Sequence, residues 1–205
     1  MGTSYQTVLA VGGLTPLRDA LREARWEAYV VPVAEQRWAV LPRETDGYAD
    51  VHTLAGFLSL RSRRPAASFD VFDSDVMSAS VFVAGEAVHD YVSDRSVVDV
   101  FFDDDGTEYL AGFDGTRYAV DETPPGGPGG ADPEAFAPLG VGPVDRAQLG
   151  AALRGDVPLD GAPRLFAQQQ HRAIVVALNL DPTPLGRAFR HVDRGDFATG
   201  LHVPA

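Results

Sequence analysis

The 205-residue chain has no cysteine. Disulfides, thiolate nucleophiles and thiolate metal sites are excluded with it. Lysine is missing too, since every one of the 17 basic residues is arginine. Schiff-base chemistry, lysine general bases and the phosphate-binding lysine of a P-loop are therefore ruled out. No apolar run approaches the ~18 residues of a membrane span. The opening MGTSYQTVLAVGG lacks the charged region that precedes the core of a signal peptide. Gln6 stands where an N-myristoylation signal needs Ser or Thr. A cytoplasmic location without a membrane partner is expected.

Against 17 basic residues stand 29 acidic ones, a formal charge of −12. Such a field repels phosphate backbones, so nucleic acid is not an expected partner. With 45% hydrophobic and 22% charged residues the composition is that of a globular protein, and a chain this long buries enough surface to fold without staples.

Local patterns predict an α+β fold. Residues 5–11 (YQTVLAV) read as a strand. Thr15 is placed as the cap of an amphipathic helix, with Pro16 at its first position and Leu14, Leu17, Leu21 and Ala24 on one face. Residues 27–33 and 37–42 read as a hairpin, with Pro32 demanding an edge or a bulge. Asp50 caps a second helix carrying Val51, Leu54, Ala55 and Leu58. Arg61, Arg63 and Arg64 then gather at that helix's C-terminus, where its dipole favours cations, and Pro65 ends it. Strands at 68–72, 76–83, 87–92 and 97–102 follow, with one more at 117–120 and a turn at Gly85-Glu86. The order β-α-β-β-α-β up to Phe72 is the split β-α-β pattern of ferredoxin-like folds. It is extended here by an antiparallel meander running to Phe102, with C-terminal helices packed on the sheet.

Three segments result: an α+β sheet domain over 1–120, a Pro/Gly-rich linker or wrapping loop over 121–143, and a helical segment over 144–205, together one globular unit. Phe136 and Leu139 are the residues able to pin the loop to the sheet. In the last segment Asp145 caps a helix ended by Gly155. Residues 163–180 form the strongest helix signal, with Phe166, Ala173, Ile174, Ala177 and Leu178 as its apolar stripe. Asp181-Pro182 begins a last helical piece reaching Arg190.

The chemistry-bearing candidates cluster in FDSDVMSASVFVAGEAVHDYVSD, residues 72–94. Asp73-Ser74-Asp75 follows a strand, as the nucleophile motif of haloacid-dehalogenase-like phosphatases does, but Met77 departs from that motif. Asp103-Asp104-Asp105-Gly106 resembles part of an EF-hand loop, yet Phe101 and Gly112 occupy its two essential ends. His89-Asp90 matches the paired letters of HD phosphohydrolases, but on a strand the two side chains point to opposite faces. A hairpin pairing Phe82 with His89 would crowd Asp73, Asp75 and Asp94 at one end, with Asp70 nearby. Carboxylates so placed raise one another's pKa unless a cation intervenes, either Mg²⁺ or Ca²⁺ or an arginine such as Arg95 or Arg117. The candidate ligand-binding residues are thus Asp73, Asp75, Asp94, His89 and Arg95, the first three doubling as metal ligands. No resident cofactor is otherwise expected.

The stretch 72–94 and the phrase ADPEAFAPLG resemble uncharacterised hypothetical proteins of high-GC bacteria, over much of the chain. The resemblance implies a cytosolic bacterial protein and brings no catalytic residues. Two functions follow from the residues. The first is a non-enzymatic binding or regulatory module for a protein, a basic one by charge, or for a small ligand. The alternative is a divalent-metal-dependent hydrolase or phosphatase using the clustered aspartates.

Overall fold

In a computed structural model, residues 2–156, 165–193, 195–197 and 199–205 are described. The N-terminal part alternates as the sequence pattern requires: β1 (Tyr5–Val11), α1 (Leu14–Glu23), β2 (Ala28–Ala34), β3 (Arg37–Pro42), α2 (Val51–Ser62) and β4 (Ala66–Phe72). β5 (Val76–Val83) and β6 (Glu86–Val92) continue it. With β10 (Leu201–Val203) they form a seven-stranded antiparallel sheet in the order β10-β2-β3-β1-β4-β5-β6. β10 carried no strand signal; its three residues only complete the ladder on β2.

Sheet faces follow from side-chain alternation. On one face Tyr5 and Leu9, Phe69 and Val71, and Met77 and Val81 join the larger core. That core is closed by α4 (Arg146–Arg154), through Leu149 and Leu153, and by α5 (Ala167–Ala177), through Ile174 and Val175. The other face packs Val8, Ala10, Ala66 and Phe82 under Leu17 and Leu21 of α1 and Leu54 and Leu58 of α2. Asp50 caps α2 by accepting from the Thr53 N–H at 3.0 Å, and Asp145 caps α4 by accepting from Ala147 and Gln148. Arg61 pairs with Glu23 of α1, a use of the helix-end arginines that needs no phosphate.

Several sequence readings are corrected. α1 starts at Leu14 with Gly13 as N-cap, so Thr15 and Pro16 lie inside its first turn, where a missing N–H is harmless. Pro32, as the sequence requires, sits at a bulge in β2, beyond the reach of β10. The β5–β6 turn is Ala84-Gly85, not Gly85-Glu86. Both residues have positive φ (53° and 93°), the type I′ geometry that suits strand twist. A bulge then shifts the register, so Val81, not Phe82, faces His89.

The meander also leaves the main sheet earlier than expected. β7 (Val98–Phe102) pairs with β8 (Glu108–Gly112), which the sequence reading missed, and β8 pairs with β9 (Arg117–Tyr118), forming a separate three-stranded sheet. The break lies at Asp94, whose carboxylate accepts from the Ser96 N–H at 2.9 Å and hydroxyl at 2.7 Å and from the Gly127 N–H at 3.1 Å. A ladder cannot continue through a residue so turned.

The Pro/Gly-rich segment wraps rather than merely links. Gly129 bridges to Val92 on the β6 edge, and α3 (Pro133–Phe136) with the 3-10 turn Ala137–Leu139 buries Phe136 and Leu139 completely. Of the expected helix over 163–180, Pro163 and Arg164 lie outside the described residues. Phe166 is its exposed N-cap, not part of the apolar stripe. Asp181 caps α6 (Pro182–Leu185), and a 3-10 turn follows at Phe189–His191. Among the described residues no helix is long and apolar enough to cross a membrane.

Candidate functional site

On the α1/α2 face each of the neighbouring strands β1, β4 and β5 changes character along its length. β1 runs from Ala10 and Val8 to Gln6, β4 from Ala66 to Ser68, Asp70 and Phe72, and β5 from Phe82 to Ser80 and Ser78. The helices cover the apolar half. Over the polar half lies an open cleft of about 610 Å³, walled by Tyr48 and His52 at the start of α2 and by Phe113 and Asp114 of the β8–β9 turn. Phe113 reaches it by packing on Phe72, ring centroids 5.4 Å apart.

Register builds the floor in two cross-strand rows: Gln6, Asp70 and Ser78, then Ser68, Ser80 and Asp90. Hydrogen bonds tie each row. The Gln6 amide donates to Asp70 at 2.9 Å, the Ser80 hydroxyl donates to Asp90 at 2.6 Å, and the Ser80 N–H donates to Ser68 Oγ at 3.3 Å. Two features remain unbalanced. Gln6 is 6% exposed, yet its Oε1 has no hydrogen-bond partner. Asp70 is half-buried, and desolvation pushes its carboxyl above the usual range, with bonds from Gln6 and Tyr48 opposing the shift. The Tyr48 hydroxyl is pushed up to about 12, first by burial and then by the charges of Asp70 and Asp50. Among the described residues no arginine lines the cleft. It is rich in acceptors and poor in cations.

The residues singled out from sequence are distributed differently. Asp73 and Ser74 form the β4–β5 turn with positive φ (45° and 66°). That turn is clamped to the N-terminal strand: Asp73 N–H donates to Ser4 Oγ at 2.9 Å, and Thr3 N–H to Ser74 Oγ at 2.8 Å. Ser74 also offers its carbonyl to the Ala167 N–H at the start of α5, which explains FDSD as a docking turn. Asp75 and Asp94 do share the wall of a small cavity of about 170 Å³ with Arg154 and Gln170, but Asp73 and His89 do not line it.

His89 lies on the opposite sheet face from the cleft, its ring edge-on to Phe136 and its Nε2 2.7 Å from the Gly130 carbonyl. Arg95 runs along Gly129 with its Nε buried and unbonded. Arg117 is not the carboxylates' partner: it pairs with Asp103 at 3.0 Å and lies over the Tyr109 ring. Asp70 belongs to the cleft instead of to the hairpin end. Among the described residues no three His, Asp or Glu side chains are arranged to hold a metal ion.

The cleft residues missed from sequence left one trace. Polar or small side chains recur at every second position of β4 and β5 (Ser68, Asp70; Ser78, Ser80), the mark of a sheet face not sealed by core. A search for known relatives gives no assignment: no family model, no curated protein and no solved structure matches this chain.

Proposed function

We propose that this protein is a non-enzymatic binding module that captures a cationic group, an ammonium or guanidinium, in the cleft over Asp70 and Asp90. One observation carries the reading: Asp70 is a partly desolvated carboxylate on the floor of an open cleft that no arginine lines among the described residues. Such a group is stabilised by an entering cation, which supplies the countercharge and the missing donors. The unpartnered Gln6 Oε1 accepts a further N–H. Tyr48, Phe72 and Phe113 line the cleft, and a cation over such rings gains from their quadrupole. A volume of about 610 Å³ is that of a small-molecule site. The charge of −12 draws basic ligands toward the surface as a whole. Strand order β2-β3-β1-β4 with two helices on one face supports the ferredoxin-like split β-α-β reading of the scaffold, with the cleft on the helix-bearing side of the sheet.

Calorimetric titration with agmatine, spermidine and an arginine-containing peptide tests the reading, and separates a free amine from a side chain of a basic protein. Asp70→Asn and Asp90→Asn are each expected to weaken binding by about tenfold or more, and added salt to weaken it further. Saturable binding of a neutral sugar with the amines ignored would sink it. The alternative, a metal-dependent hydrolase on Asp73, Asp75 and Asp94, makes a different demand. It requires Mg²⁺ or Ca²⁺ to raise the melting temperature of the wild type and not of Asp75→Asn.

A further inference from the structure

On the opposite face of the sheet a second cavity, of about 240 Å³, opens between β1, α5 and α6. Its inner wall is His171, 1% exposed, whose ring is tilted against Phe69 at 4.4 Å and stacked on Tyr5 at 5.7 Å. His171 Nδ1 and the Tyr5 hydroxyl are 2.9 Å apart. Burial raises the Tyr5 pKa, so its O–H stays protonated and needs an acceptor. Donation from Tyr5 to Nδ1 provides one and places the imidazole hydrogen on Nε2. That Nε2–H is buried without a partner, and so is Gln168 Oε1, one helical turn away on the same wall. Unpaired buried donors and acceptors are rare because each forfeits its hydration. Here an unpaired donor and an unpaired acceptor line one solvent-connected cavity.

Arg172 and Arg187 stand at the rim. Asp196 holds Arg187 at 2.6 Å, whereas Arg172 has no ion pair among the described residues. The wall therefore asks for a ligand with negative charge toward Arg172, an acceptor for the His171 Nε2–H and a donor for Gln168 Oε1. At ~30 Å³ for each water, the cavity has room for roughly eight water-sized atoms, enough for a small organic acid. We propose that it is a second ligand site, taking a small hydroxycarboxylate whose carboxylate meets Arg172 and His171 and whose hydroxyl donates to Gln168. It is independent of the cationic cleft in position and in charge.

Long-range ¹H–¹⁵N spectra of the histidine rings report the tautomer and the hydrogen bonding of Nε2 directly. Titration with glycolate is expected to shift the His171 Nε2 signal saturably, and acetate, lacking the hydroxyl, to bind about tenfold more weakly. Gln168→Leu should erase that difference, Arg172→Gln should weaken both ligands, and Asp70→Asn should leave both unchanged. The proposal is overturned if the Nε2 signal does not move with glycolate, if wild type binds acetate equally well, or if inorganic phosphate is preferred.

Discussion

Asp70 carries a cost that the fold does not need. Its folded carboxyl is raised, so the stability linked to it is fully present below the unfolded value near 3.9 and is lost as pH rises through the folded pKa. Asp70→Asn keeps an acceptor for Gln6 and removes the half-buried charge. The variant is therefore expected to melt higher than wild type at neutral pH and to lose that advantage near pH 3, while cation binding falls. Thermal unfolding at the two pH values checks this, and a lower melting temperature at both would count against it. His171 has the opposite linkage. Burial pushes its imidazole down to about 3, so stability present above the unfolded value of ~6.5 drains away as pH falls toward 3, on the order of 5 kcal/mol in all. Tyr5, Arg172 and Arg187 line the same cavity, and among the described residues no carboxylate lines it to soften the loss. In a ¹⁵N pH titration the His171 ring is expected to stay neutral until the protein unfolds.

The elements owe their boundaries to caps that can be read residue by residue. Asp145 accepts from two backbone N–H groups at the start of α4, and Gly155 closes the helix in the left-handed conformation (φ 72°). Asp145→Ala should cost about 1 kcal/mol, read as a lower denaturation midpoint with an unchanged slope. β5 and β3 were bounded correctly because alternation and turn residues both mark their ends. β8 and β10 carry no signal in the sequence: with five and three residues they are too short to display a period, and each exists only against a partner strand. The β6 bulge was equally hidden, since one extra residue changes the pairing without changing the composition.

At the scale of the molecule the wrapping segment joins the two halves. Phe136 is wholly buried, edge-on to both Tyr91 and His89, although it follows a stretch rich in Pro and Gly. Phe136→Ala is expected to destabilise the whole protein by about 3–5 kcal/mol. A single cooperative transition shifted to lower denaturant would confirm that this segment belongs to the core. A change below about 1 kcal/mol would show that the segment is only a tether.

What the sequence determined by itself was local: the helices by their stripes and caps, the strands by alternation, and the acidic character without lysine or cysteine that removes whole classes of chemistry. The hairpin aspartates drew attention because they are neighbours in the chain, and the fold uses Asp73 and Asp94 at turns. The cleft was not legible, because Gln6, Asp70 and Asp90 lie on three strands far apart in sequence and meet only through sheet order. The Tyr5–His171 pair spans 166 positions and shows no motif at all. Periodicity states which side of a strand is polar. Only packing decides whether that side is sealed beneath a helix or left open as a site, because burial depends on every element that arrives later in the chain.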